Sequence, residues 1–366
     1  MDFEAAGLLD GLENGERTAR RRLLERLAAD GVGMEELQTA VAEDRLALLP
    51  VERVLGGRYT AREIEARTGL PARVLLRLRR MLGLPEAGED ERLFGEEDVE
   101  MARSTRRFID AGLGEPAINE MTRVLGESMA RLAATTAAGF VDAFLKPGDS
   151  EEEVAVRFAG LAEEFTPLVH PVLVAAYNAH LREAVRRGML GRAEREAGAL
   201  ADAQELAICF ADLVGFTRMG AQIEAQELGG VAGKLAALAG EVAEPPVRLI
   251  KTIGDAAMFV SPEPGPLVAV ALALVEAAQA AELPSLRAGL ALGPALVRAG
   301  DYYGHSVNLA SRVTGVARPD SVLCTQEIRD AAAEDFDWSF AGKHRLKGVR
   351  EPVALHRARR PRAAQS

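Results

Sequence analysis

Apolar side chains recur at three- to four-residue spacing through the first half of the chain, and near Leu206 the pattern changes to short apolar runs. Leu23, Leu24 and Leu27 fall on one helical face. Thr60 with Glu63, and Ser150 with Glu153, have the hydroxyl-x-x-acid spacing that caps a helix start. Gly69-Leu-Pro71 stops one helix and opens the next. The alanine-rich stretches 116–145 and 151–189 predict two long helices, and strand-like alternation is nearly absent. Residues 1–189 are therefore expected to form an all-α bundle of roughly eight to ten helices.

Residues 190–205 are polar, alanine-rich and flanked by glycine, and are expected to link two domains. Helix and coil differ little in free energy over so short a segment. From 206 the order reads strand 206–212, helix 218–242, strands 246–252 and 256–261, helix 265–282 and strands 286–300. Helix 306–316, strand 321–325, helix 326–333 and a hairpin over 337–358 complete it. The order βαββαβ with additions predicts a ferredoxin-like α/β sandwich over 206–360, and an α+β chain as a whole.

Composition narrows the function classes. At 366 residues, 48% of them apolar, two full-sized cores are affordable and general disorder is excluded. A net charge of −11 disfavours non-specific nucleic-acid binding. The two cysteines, Cys209 and Cys324, lie in apolar runs and read as small core residues of a reducing compartment. The N-terminus has no secretory pattern, and the longest apolar run, Leu267 to Val275, is far short of the roughly 20 residues of a membrane span. A cytoplasmic chain without a membrane span is expected.

Three clusters carry candidate chemistry. The first is Phe210-Ala-Asp-Leu-Val-Gly-Phe-Thr217, an apolar strand that ends in a carboxylate and enters a glycine turn. The second is Lys251-Thr-Ile-Gly-Asp255, and the third runs from Asp301 through Asn308 to Arg312. In the expected topology Asp212 and Asp255 meet at one sheet edge, as a pair of acids suited to two divalent cations. Hard oxygen ligands favour Mg²⁺ or Mn²⁺. Gly215 and the N–H groups of Phe216 and Thr217 open a helix and offer a phosphate seat. Asn308 and Arg312, four apart, share one helix face.

Together the three clusters resemble the catalytic domain of class III adenylate cyclases over about residues 204–360. The resemblance implies ATP as substrate, two cations at Asp212 and Asp255, and Lys251 with Asp301 as the base-selecting pair. An ammonium and a carboxylate complement adenine N1 and its N6 amino group. Guanylate cyclases of the family typically carry Glu and Cys there, so guanylate cyclase activity is the lesser alternative. By the same resemblance Asn308 orients the ribose and Arg312 stabilises charge at the α-phosphorus, a task a planar guanidinium does bidentately. Lys347 and Arg298 are candidates for the terminal phosphates, although the loop before Asp301 is shorter than in mammalian members. One chain carries each element once, which implies a homodimer with shared sites.

The order of domains resembles bacterial cyclases with an N-terminal regulatory domain, some of which respond to pH. On that reading the helical half restrains the catalytic dimer and 190–205 is the switch. His170, His180 and His305 are the regulatory candidates, because imidazole titrates nearest neutrality. The sequence names no small ligand for the helical half. A competing reading starts from 59–112, which resembles a MerR-type winged helix-turn-helix with Arg73, Arg77 and Arg80 on helix 71–81. The alternative function is then a DNA-binding regulator with a nucleotide-sensing cyclase domain. Glu63, Glu65 and other acids that can pair those arginines argue against DNA as a partner.

Overall fold

A computed structural model describes residues 1–190, 203–298 and 300–361. The chain divides into two units, Met1–Arg192 and Ala193–Ser366. Among the described residues of the first unit there are eight α-helices and one 3₁₀ turn. One core gathers Leu23, Leu24 and Leu27 with Leu37, Leu46 and Leu49. A second lies under the helix-turn-helix segment, around Ile64, Leu75, Phe94 and Val99. Thr60 closes its capping box as expected: its Oγ1 accepts from Glu63 N–H at 3.1 Å, and Glu63 accepts from Thr60 N–H at 2.9 Å. The two long helices are Glu115–Phe144 and Glu151–Leu190.

The winged helix-turn-helix shape is present, with helices Ala61–Thr68, Ala72–Met81 and Glu96–Asp110 and an antiparallel bridge between Tyr59 and Phe94. Two of its three arginines face acids: Arg77 pairs with Glu115, and Arg80 with Glu86 at 3.3 Å. Glu65 instead accepts from Ala72 N–H at 2.8 Å and ties the two helices of the motif together.

The second unit is one eight-stranded sheet. Its strands are β1 Ala203–Leu213, β2 Arg248–Ile253, β3 Ala256–Ser261, β4 Leu286–Arg298, β5 Asp301–Tyr303, β6 Ser321–Thr325, β7 Asp337–His344 and β8 Val353–Arg359. The order is β2-β3-β1-β4-β6-β8-β7, with β5 folded back on β4. Its first four members have the order of a ferredoxin-like sandwich. β4 and β6 run parallel, and the other pairs are antiparallel.

Two elements differ from expectation. The helix read over 218–242 is split into Phe216–Met219 and Ala225–Val242. Gly220 ends the first turn, and Glu224, extended at φ −67° and ψ 151°, restarts the second. The linker read over 190–205 is shortened at its end, because Ala203, Gln204 and Glu205 pair with Leu296, Ala295 and Pro294 as the start of β1. Residues 191–202 of that segment lie outside the described residues.

Strand alternation divides the sheet into two faces. Ala207, Cys209 and Ala211 point toward helices Ala225–Val242 and Pro264–Ala280 and form the main core. Both cysteines are buried there, and burial raises both thiols, so neither is a reactive nucleophile. Leu206, Ile208 and Phe210 point the other way, under helix His305–Val316. This helix lies unusually close to the sheet because Gly289 has no side chain: a Cβ there would stand 2.1 Å from Thr314 N. Thr314 Oγ1 lies 3.1 Å from Phe210 O and 2.9 Å from Ala310 O, and Ser306 Oγ donates to Pro294 O at 2.8 Å.

Candidate active site

Asp212 falls in the same alternating register as Leu206, Ile208 and Phe210, so it projects from the face that carries helix His305–Val316. Its Cα partners are Ala256 on β3 and Arg287 on β4. Asp255 sits in the turn just before Ala256, and its carbonyl accepts from Leu213 N–H at 3.0 Å. The two carboxyls are therefore neighbours at the strand ends. Burial pushes the Asp255 carboxyl above the ordinary carboxylate range, and the charge and hydrogen bond of Asp212 push in the same direction. An acid whose charged form is disfavoured beside a second carboxyl is a donor set that a cation would relieve.

That donor set fits a hard divalent ion. Among the described residues no group of three or more acidic, histidine or cysteine side chains is placed so that it could hold a metal ion. Two carboxylates supply only part of an octahedral shell, and the remainder falls to water, backbone oxygens and substrate phosphates, as is usual for Mg²⁺.

Arg287 is the residue that the sequence reading missed. Its Nη2 and Nε donate to one oxygen, Asp212 Oδ2, at 2.7 and 3.2 Å, while Nη1 donates to Gly315 O at 3.1 Å. One guanidinium thus links an acid of the pair to the last turn of helix His305–Val316. The only signal for it is cross-strand register, since 75 residues separate Arg287 from Asp212. Outer partners that orient ligating carboxylates typically contribute about 10–100-fold to metal affinity or activity. Arg287→Ala is therefore expected to lose activity by about that factor and to need more Mn²⁺ for half-maximal rate. A metal titration of both proteins checks this, and an unchanged titration curve counts against the role.

Gly215 takes the left-handed conformation, φ 84°, that the turn after Asp212 needs. The helix it opens is a single turn, in which Arg218 and Met219 N–H both donate to Gly215 O at 3.0 Å. Phe216 packs on the main core and Thr217 is exposed. The phosphate seat expected of a full helix start is here only a glycine turn.

Lys251, whose Cα partner is Met258, lies on the same face as Asp212. Its ammonium pairs with Asp301, the first residue of β5. Both side chains are about 30% exposed, at 30% and 32%. Asp301 Oδ1 also accepts from Tyr302 N–H at 2.8 Å, which fixes the carboxylate. Asn308 is exposed and Arg312 half-buried on helix His305–Val316. Arg312 rests on the turn after Leu346: a Cβ on Gly348 would stand 3.2 Å from its Nη2. This brings Lys347 beside Arg312. Arg298 is exposed at the end of β4, with Asp301 as its Cα partner. His305, exposed, begins the helix of Asn308 and Arg312, whereas His170 and His180 are exposed on helix Glu151–Leu190.

The face so assembled offers a carboxylate pair, a lysine–aspartate pair and an asparagine–arginine pair. Such groups can hold cations, read a base and meet charge on phosphate oxygens. Two family comparisons agree with this arrangement. Residues 1–185 match the adenylate cyclase regulatory domain, and residues 200–357 match the adenylate and guanylate cyclase catalytic domain. A pH-sensitive adenylate cyclase of Mycobacterium tuberculosis is 38% identical over 370 residues, 98% of this chain and 92% of that protein. An adenylate cyclase of Streptomyces coelicolor is 32% identical over 91% of each chain. A solved structure of an adenylyl cyclase from P. aeruginosa overlaps 44% of this chain and 96% of its own, at 19% identity and a TM-score of 0.39. The chain belongs to the class III nucleotide cyclases that carry an adenylate cyclase regulatory domain ahead of the catalytic domain.

Proposed function

We propose that this chain converts ATP to 3′,5′-cyclic AMP and pyrophosphate, with residues 206–360 catalytic and the helical residues 1–189 regulatory. The observation that carries the reading is the Lys251–Asp301 pair on the same sheet face as Asp212 and Asp255. An ammonium held beside a carboxylate matches the acceptor and donor edge of adenine and mismatches guanine, whose O6 accepts and N1–H donates. Asp212 and Asp255 would hold two Mg²⁺ or Mn²⁺ ions, which supply activation of the ribose 3′-hydroxyl and neutralise phosphate charge. Asn308 orients the ribose. Arg312 meets charge that builds on the α-phosphate oxygens, and Lys347, with Arg298, serves the terminal phosphates. Gly215, Phe216 and Thr217 let the phosphates approach the backbone after β1.

The active form is a homodimer with two equivalent sites. In support, the β4–β5 edge leaves Val297 and Tyr303 46% and 53% exposed, and in the first unit helix Glu151–Leu190 leaves Val172 and Tyr177 65% and 62% exposed. Exposed apolar side chains such as these favour a cover, and a second copy on a two-fold axis supplies one. Each site would take its carboxylates from one chain and Lys251, Asp301, Asn308 and Arg312 from the other. Mixing inactive Asp212→Ala and Lys251→Ala chains is then expected to return about a quarter of wild-type turnover, since half of the chains form heterodimers and each heterodimer has one intact site. Cyclic nucleotide is measured with ATP and GTP in competition. Verified heterodimers without turnover would refute the shared site, and preference for GTP would refute the base assignment.

The name of the Mycobacterium tuberculosis relative supports pH as the stimulus, with His170, His180 and His305 as candidate groups and residues 190–205 as the connection. The same assay, run from pH 5.5 to 8.5 on the wild type and on His170→Gln and His180→Gln, separates a sensor from a bystander. Among the described residues no helix is long and apolar enough to cross a membrane. Duplex binding by 59–112 is the second reading, and the acids on Arg77 and Arg80 weigh against it.

A further inference from the structure

Arg318 and Arg357 approach one cavity of about 280 Å³ from different elements. Arg357 projects from β8, with Leu323 on β6 and Ser339 on β7 as its Cα partners, so these three side chains form a row on one sheet face. Arg318 comes two residues after the end of helix His305–Val316. The cavity lies on β6, β8 and β7, beyond β4 and away from the Asp212–Asp255 pair.

These two arginines differ from their neighbours in having no carboxylate. Arg287 is held by Asp212 at 2.7 Å, and Arg360 by Glu276 at 2.8 Å. Neither Arg318 nor Arg357 makes an ion pair among the described residues, and the Nε of Arg357 is buried without a hydrogen-bond partner. A guanidinium N–H taken out of water and left unpaired costs free energy. The missing partner is an acceptor, and two cationic side chains lining one cavity favour an anionic one. His344 adds a ring nitrogen at the rim, and its Nε2 lies 3.1 Å from Ala341 O. Leu323 and Val316, the latter 38% exposed, give the cavity an apolar wall. A second cavity of about 380 Å³ shares Arg318 and Arg357. Its acids are engaged elsewhere, Glu276 by Arg360 and Asp320 by Ser285 Oγ at 2.9 Å.

We propose that this cavity binds the phosphate group of a small phosphomonoester. Two planar forks from different elements suit a dianion with three acceptor oxygens, whereas a carboxylate satisfies only one fork. The wall of Leu323 and Val316 takes the ester's apolar body. A volume at the small end of ligand pockets, about 300–1,000 Å³, limits that body to about one ring.

The test is calorimetric titration of the full chain, in EDTA and at ionic strength fixed with chloride, with phenyl phosphate, inorganic phosphate and benzoate. Saturable binding of phenyl phosphate, several-fold tighter than phosphate or benzoate, is expected. Arg357→Gln and the more exposed Arg318→Gln should each weaken it at least tenfold, and Arg312→Gln should leave it unchanged. Phosphate as tight as phenyl phosphate would overturn the ester and leave the free ion, and benzoate as tight would overturn the phosphate. Absence of saturable binding, or equal binding by the Arg318 and Arg357 variants, would overturn the site itself.

Discussion

An Asp212→Asn chain is expected to fold normally and to make cyclic AMP at roughly a thousandth of the wild-type rate or less. Asparagine has nearly the same shape, and its carbonyl can still accept from Arg287, which bonds a single oxygen of Asp212 at 2.7 and 3.2 Å. The register of Asp212 with Ala256 and Arg287 is set by backbone bonds and stays intact. What changes is charge. One of two acids is lost from a site that among the described residues has no third ligating side chain nearby. A thousandfold loss corresponds to about 4 kcal/mol of transition-state stabilisation, of the size expected when a cation is lost from the charge balance of a phosphoryl reaction. Neutralising Asp212 leaves burial as the main cause that raises the Asp255 carboxyl, so Asp255 becomes easier to ionise. That gain does not restore a two-carboxylate site. The melting curve, the Mn²⁺ titration and the turnover number are measured together. Near-normal turnover at saturating Mn²⁺ would exclude Asp212 from the reaction.

The difference between Asp212 and Arg287 shows what a chain of letters reveals about such a site. Asp212 announces itself locally, because an alternating apolar run that ends in an acid and a glycine turn is visible in eight consecutive residues. Lys251, Asp255, Asp301, Asn308 and Arg312 stand in similarly compact strings. Arg287 sits in Leu286-Arg-Ala-Gly289, which locally reads as an ordinary strand start. Its importance comes from the pairing of β1 with β4, and register between distant strands is set by the whole hydrophobic pattern and its connections. Helix boundaries show the same limit. The split at Gly220 depends on how the turn after Asp212 is bound to its surroundings, and the early start of β1 at Ala203 depends on the length of its partner β4. Capping boxes were legible because they are local chemistry: Thr60 and Glu63 satisfy each other's N–H groups within four residues. The Arg318–Arg357 cavity needed three strands and a helix end brought together, and no short string encodes it.

Gly289→Ala should be among the most damaging single-methyl changes in the catalytic unit. The added Cβ would stand 2.1 Å from Thr314 N, 2.6 Å from Thr314 Oγ1 and 2.7 Å from Thr314 Cα. The hydroxyl can rotate away, but the backbone atoms cannot, so helix His305–Val316 has to move off the sheet. Overpacking of a close-packed core costs about 1–3 kcal/mol and sometimes more, and contact with a helix backbone belongs at the upper end. About 3 kcal/mol corresponds to a fall in melting temperature of roughly 6–12 °C for a domain of this size. The same helix carries Asn308 and Arg312, and its Gly315 carbonyl receives Arg287. A displacement of about 1 Å at a reacting centre can cost about a hundredfold in rate. Activity is therefore expected to fall about a hundredfold even well below the melting transition, with the nucleotide KM changed less than kcat. Gly240→Ala is the matched control: it lies in helix Ala225–Val242 and an added Cβ there meets nothing within 4 Å. Replacing a helical glycine by alanine in open space is expected to stabilise by about 0.4–1 kcal/mol. If Gly289→Ala behaved like Gly240→Ala in melting and turnover, the close approach of this helix would not be what positions Asn308 and Arg312.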